Sequence, residues 1–292
     1  MPFIYTTSYR VRYHDCDAYG HMSHASYARY MQETAVEASE AVGYGFKRYD
    51  ELNMRWLIRE THIEYLQPLY HQDTFEVKTW TSGFRRIRSL RHYEFYKGGT
   101  LAARARTDWV LIDLSTRQPI SAPQEMIEAY NSGEESGHIH AHKRLPAPPP
   151  PPSGVFKQRR KVVWSDIDGE QHVNNARYLD YAADIAFEVT DAYGWSLERV
   201  RAAGFVIIAR EQQIEYKQSA LLGDELEIAT YVYDMKRISG TRFFSLTRVR
   251  DGAQVAQVRS GLVAVDPVTG KPTRIPAQFL EDFAPNIVMN GA

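Results

Sequence analysis

The chain has 292 residues, 43% of them hydrophobic and 12% aromatic, and a formal net charge of −1. That is enough apolar material for one large or two ordinary domains, and a near-neutral chain has no overall field with which to gather nucleic acid or an anionic membrane. One cysteine, Cys16, excludes an internal disulfide framework and a thiolate metal cluster, and it fits a reducing compartment.

The opening MPFIYTTSYRVRYHD lacks the basic start and long apolar stretch of a secretory signal. No run elsewhere approaches the ~18 apolar residues of a membrane span, so a soluble, cytoplasmic protein is the expectation. The first predicted element is a short strand, YRVRYHD. It leads through a loop, HDCDAYGHMSH (His14 to His24), into one long helix over SHASYARYMQETAVEASEAVG. Ser23 is a good N-cap and Gly43 a good stop. Ala25, Ala28, Met31, Ala35, Ala38 and Val42 recur at helical spacing and are mostly small enough to let the helix lie close to a sheet. Alternating β-type runs follow: TFEVKTWTS, SLRHYEFYK and ARARTDWVLID. Next comes NSGEESGHIHAHKRLPAPPPPPSG, whose unbroken prolines from Pro148 to Pro152 favour polyproline II, a stiff spacer of ~3.1 Å per residue. His138, His140 and His142 alternate in this linker without an acidic or thiol partner and are read as solvated rather than metal-binding.

Beyond the linker the same order returns at an offset of 151 residues. Asp15 matches Asp166, Asp17 matches Asp168, His21 matches His172, Tyr27 matches Tyr178, Tyr30 matches Tyr181 and Gly43 matches Gly194. The register holds through Arg86/Arg237 and Arg91/Arg242, slips by two where KGGT faces RVRDGAQ, and recovers as Asp113/Asp266 and Pro123/Pro276. A strand (QRRKVVWSD), a loop (SDIDGEQHVNN), a helix capped by Asn174 and a strand meander make a second α+β unit. The expected organisation is a domain over 1–130, a linker over 131–156, a second domain over 157–284 and a tail over 285–292.

The repeated segments resemble the hotdog-fold thioesterases. YHDCDAYGHMSHASYARYMQET is similar to the active-site signature of the 4-hydroxybenzoyl-CoA thioesterase group, and VVWSDIDGEQHVNNARYLDY to that of plant-type acyl-ACP thioesterases, themselves tandem hotdogs. The resemblance implies a tandem (double) hotdog, each unit an antiparallel sheet wrapped around a long central helix, packed as an intrachain pseudo-dimer with sites near the interface. It also implies Asp17 and Asp168 as the central catalytic carboxylates. Two departures stand out. Where the plant-type motif has Asn, this chain has Glu170 and Tyr19, and where it has a further Glu, this chain has Ser219 and Pro68. The plant-type constellation is therefore not transferred whole.

The chemistry of the residues points the same way. A thioester carbonyl is already electrophilic, so its hydrolysis needs a carboxylate to activate water or to attack directly, and donors for the developing oxyanion. An Asp just before a helix supplies the first, and amides at that helix's N-terminus supply the second. A separation of four positions between Asp and His lets a turn converge them, so His21 and His172 are candidates for positioning substrate or donating a hydrogen bond. Asn174 reads equally as a helix cap and as a group that orients water or the carboxylate.

Asp17 and Asp168 have helix capping or an Asx turn as their alternative reading, and Asp15 and Asp166 read as turn stabilisers. Tyr27/Tyr178 and Tyr30/Tyr181 read as helix-face packing, with Tyr27 and Tyr178 kept as candidates to line an acyl pocket. Arg86 and Arg237, in the basic runs FRRIRSLR and MKRISGTR, are candidates for CoA phosphates or an acidic carrier, against the alternative of edge protection. Cys16 lies between two acids that weaken it as a nucleophile. No Walker loop, dinucleotide turn or zinc spacing is present, so neither a cofactor nor a metal is expected. The function expected is an acyl-CoA or acyl-ACP thioesterase. A hotdog hydratase or dehydratase and a non-catalytic acyl-thioester binding protein are the alternatives, and only the resemblance suggests a homo-oligomer of full chains.

Overall fold

The computed structural model describes residues 1–133, 137 and 146–288. The chain divides into two compact units, Met1–His142 and Lys143–Ala292. His138, His140 and His142 lie outside the described residues. None of the described helices is long and apolar enough to cross a membrane.

Unit 1 runs β1 (Tyr5–Arg10), α1 (His24–Ala41), α2 (Phe46–Glu51), β2 (Met54–Tyr65), β3 (Thr74–Arg85), β4 (Arg88–Lys97), β5 (Thr100–Asp113) and α3 (Gln124–Tyr130). Its strands pair antiparallel in the order β1-β3-β4-β5-β2. The alanines of α1 do what their size allows: Ala25, Ala28, Ala35 and Ala38 are buried, and Tyr27 meets Tyr65 and Phe95 on the sheet edge-on. The helix ends in a Schellman motif, with Gly43 at φ +83° donating to Glu40 and Tyr44 donating to Ser39.

Unit 2 repeats this with β6 (Phe156–Lys161), α4 (Arg177–Ala192), α5 (Leu197–Ala202), β7 (Val206–Tyr216), β8 (Glu225–Tyr233), β9 (Ser239–Arg248), β10 (Gln254–Val265) and α6 (Ala277–Phe283). The sheet order is β6-β8-β9-β10-β7.

Three features differ from the sequence reading. The first strand of each unit lies earlier than expected. YRVRYHD and QRRKVVWSD are cut short by 3-10 turns, Tyr13–Asp15 and Trp164–Asp166, because the Asp carboxylate captures the amide three residues back, Arg12 N at 2.8 Å and Val163 N at 2.9 Å. The start of α4 lies later, at Arg177 with Ala176 as N-cap, so Asn174 caps the turn before the helix rather than the helix itself. Finally, residues 285–288 are packed into unit 2. Asn286 is fully buried and donates to the carbonyls of Gly154 and Thr230, both at 3.0 Å, while Ile287 bridges to Val232 beside β8. Part of the Pro-rich stretch is held too, since Tyr231 and Tyr233 donate their hydroxyls to the carbonyls of Pro149 and Pro146 at 2.5 and 2.6 Å.

Candidate active site

The same three-residue hairpin builds both motifs. In unit 1 the Asp17 amide donates to the His21 carbonyl and the Gly20 amide to the Asp17 carbonyl, both at 2.9 Å, with Gly20 left-handed at φ +84°. In unit 2 the corresponding bonds join Asp168 to His172 at 3.1 Å and Gln171 to Asp168 at 3.0 Å, with Gln171 left-handed at φ +62°. This is a turn closed by a left-handed residue, and it folds the imidazole back onto the carboxylate. His21 Nδ1 lies 3.2 Å from Asp17 Oδ2, and His172 Nδ1 lies 3.8 Å from Asp168 Oδ1. The amide two residues on, Tyr19 or Glu170, donates to the carboxylate at 2.9 Å. All four side chains keep between 21% and 27% of their surface exposed, so each pair is fixed yet reachable.

What holds the carboxylate differs between the units. Burial alone pushes the Asp17 carboxyl up, but the His21 ring and the Tyr19 amide outweigh it, and the group lies below the ordinary carboxylate value. Burial pulls His21 down, and Asp17 more than restores it, so the imidazole lies above its ordinary value. Unit 1 thus favours the ionised pair. In unit 2, Asn174 Nδ2 donates to Asp168 Oδ2 at 3.1 Å while its Oδ1 accepts the Ala176 amide at 2.9 Å. One side chain therefore holds both the Asp168 carboxylate and the turn that precedes α4. Ser23, at the equivalent position, caps α1 through the Ser26 amide at 3.2 Å.

Asp15 and Asp166 sit beneath these pairs as buried turn stabilisers. Tyr30 donates to Asp15 Oδ2 at 2.6 Å, whereas Asp166 Oδ1 takes two bonds from Arg177, at 3.1 and 2.8 Å. Arg177 escaped the sequence reading. Its signal was an exception in the repeat, since the matching residue of the first copy is Ser26, whose hydroxyl bonds the Asp15 carbonyl and the Ser23 hydroxyl, both at 3.0 Å, and not the Asp15 carboxylate. Burial and the two flanking acids push the Cys16 thiol up, against a nucleophilic role.

Tyr27 and Tyr178 are buried close to their motifs and pack on aromatic neighbours. The arginines are not brought there within their own unit. Arg10 and Thr74 pair at the motif end of the sheet, and β3 then runs twelve residues, roughly 40 Å at about 3.3 Å per residue, before the exposed hairpin tip that carries Arg86. Arg237 is likewise exposed beyond the far end of β8. Arg91 and Arg242 do not face solvent as edge protection requires; they are buried.

The sequence matches the thioesterase-like superfamily twice, over residues 11–130 and 162–283. The chain belongs to the thioesterase-like superfamily. Within it, the chain is similar to a chloroplastic acyl-(acyl-carrier-protein) hydrolase of Cuphea viscosissima, at 24% identity over 271 residues covering 88% of this chain and 62% of that protein. It is also similar to the chloroplastic palmitoyl-acyl carrier protein thioesterase of Arabidopsis thaliana, at 24% identity covering 91% of this chain and 65% of that one. The chain thus spans less than two thirds of the length of these plant relatives. Among solved folds it superposes on the 12:0-ACP thioesterase from Umbellularia californica with a TM-score of 0.70 at 18% identity, covering 89% of this chain and 94% of that one. An acyl-ACP thioesterase from Bacteroides thetaiotaomicron gives 0.69 at 20% identity, covering 89% and 97%. This thioesterase-like chain is a tandem hotdog, each unit a five-stranded antiparallel sheet around one long helix.

Proposed function

We propose that this thioesterase-like chain hydrolyses acyl-CoA or acyl-ACP thioesters to a carboxylic acid and a free thiol. Asp17 and Asp168 take the proton from a water that attacks the thioester carbonyl. Collapse of the tetrahedral intermediate expels the thiol sulfur, which receives that proton. The amides of Ala25, in the first turn of α1, and of Asn175, in the turn just ahead of α4, have no hydrogen-bond partner among the described residues and serve as oxyanion donors. His21 and His172 hold substrate. The observation that supports this reading most is the pairing, in both units, of an accessible carboxylate with an imidazole on a hairpin that leads into the long helix.

The test is thiol release from aromatic, short, medium and long acyl groups on CoA and on carrier protein. Saturated acyl groups matter most, because a hydratase or dehydratase cannot release thiol from them. Asp17→Asn and Asp168→Asn should each leave partial activity if both sites work, and the double variant should lose ~10²–10⁴-fold, the usual contribution of a general base. A folded double variant with full activity overturns the carboxylate mechanism.

A further inference from the structure

Arg91 lies inside unit 1 on the side of the sheet that faces α1, the side on which Phe95, four residues along β4, meets Tyr27. It is 6% exposed, and its one hydrogen bond among the described residues is a long contact from Nη1 to Thr79 Oγ1 at 3.4 Å. The Tyr130 ring stands 5.6 Å from its guanidinium carbon. A guanidinium carries five donors and a fixed charge, so this residue is markedly short of partners. The carbonyl end of α1 is near, through the Tyr130 hydroxyl bonded to Ser39, but a helix terminus carries only a partial charge and its effect fades within a turn.

The neighbours are donors as well. Thr81 is the cross-strand partner of Arg91 on β3, and Ser89 shares its face two residues back on β4. They are 5% and 3% exposed, and neither hydroxyl has a hydrogen-bond partner among the described residues. The buried Nε1 of Trp109, the cross-strand partner of Ser89 on β5, makes no hydrogen bond of ordinary geometry and faces the Tyr93 hydroxyl.

Unit 2 supplies the contrast. Arg242 occupies the equivalent position, 5% exposed and 5.5 Å from the Phe283 ring. The positions of Thr81, Ser89 and Trp109 are there taken by Val232, Gly240 and Leu262, and Asn286 Oδ1 accepts from the guanidinium at 3.5 Å. Burial with little compensation holds Arg242 down at about 10. The second copy seals the charge among apolar groups, whereas the first surrounds it with unused donors.

We propose that unit 1 holds an internal carboxylate-binding niche in which Arg91 grips the anion, and Thr81, Ser89 and Trp109 donate to its remaining lone pairs. A single cation suits a monoanion, and a planar guanidinium suits the two oxygens of a carboxylate. Water can satisfy the hydroxyls, but it does not neutralise the charge. Along β3 the niche is seven residues from Thr74 at the motif end, roughly 23 Å at about 3.3 Å per residue. It is therefore separate from the Asp17 pair.

The full chain is titrated with sodium decanoate and with 1-decanol by calorimetry, a measurement that needs no turnover. Decanoate should bind more tightly than decanol, and Arg91→Met should weaken decanoate at least tenfold while leaving decanol unchanged. Arg242→Met should leave both unchanged. Equal affinity for acid and alcohol, or an Arg91→Met protein that binds decanoate as wild type does, overturns the niche. Should Arg91→Met fail to fold, Thr81→Val with Ser89→Ala carries the same test, expected to weaken decanoate about three- to tenfold; no change overturns the proposal. The carboxylate's source is read from KM values. A preference for the CoA monothioester of octadecanedioic acid, whose extended chain can cover that separation, over octadecanoyl-CoA that Arg91→Met removes assigns the niche to the far end of the acyl group. An Arg91 effect confined to inhibition by decanoate assigns it to the released acid.

Discussion

At the scale of single residues, Asp17 and His21 set each other's charge. Asp17 is depressed in the folded chain, so its contribution is present above the unfolded carboxylate value of about 3.9 and is lost as pH falls through the lower folded value. His21 is raised, so its contribution is full below the unfolded imidazole value of about 6.5 and is lost as pH rises through the higher folded value. Asp17→Asn should therefore cost about 1.5–3 kcal/mol, the range for a hydrogen bond to a charged group, between roughly pH 4 and 6.5, and less above and below that window. Urea denaturation of both proteins at pH 3, 5.5 and 9 checks this. A penalty that stays flat across the three would show that the pair is not ionised. The pairing itself was legible in sequence, because four residues spanned by one turn admit few geometries. The burial of Arg91 was legible in principle too: it shares strand parity with Tyr93 and Phe95, as Arg242 does with Phe244 and Leu246. A run of arginines draws attention to charge and away from that alternation.

At the scale of elements, the hairpin geometry makes opposite demands on Gly20 and Gln171. An added Cβ at Gly20 meets nothing within 4 Å, so Gly20→Ala pays only for the left-handed backbone, about 1 kcal/mol. Gln171→Gly should gain less, about 0.5 kcal/mol, because relief in the fold is offset by freedom in the unfolded chain. Thermal melts of the two variants should shift in opposite directions. The long helices were legible from their spacing and their Gly stops. The short ones, such as Phe46–Glu51 and Ala277–Phe283, were not, since six or seven residues scarcely complete two helical turns. The first strands were misplaced for a different reason. Alternation in YRVRYHD continues past Arg10, and only the Asp15 carboxylate's hold on the Arg12 amide ends it.

At the scale of the whole molecule, the repeat foretold two units, each with a strand, a long helix and a later run of strands, but neither the strands β2 and β7 nor that residues 285–288 pack into the second unit. Nothing in FAPNIV is periodic. Asn286 matters because its amide donates to two carbonyls, the buried one of Thr230 and that of Gly154, which also accepts from the Tyr193 hydroxyl at 3.1 Å. Asn286→Ala should cost about 1–3 kcal/mol, the penalty of leaving buried polar groups unpaired, and the loss should appear in a chemical denaturation curve. The bond from Asn286 to Gly154 closes a loop across 132 positions of sequence. During synthesis a ribosome therefore completes every strand of unit 2 before it emits the residue that ties β8 to Gly154, and the second half of the chain waits for that amide long after the first half has all its strands in hand.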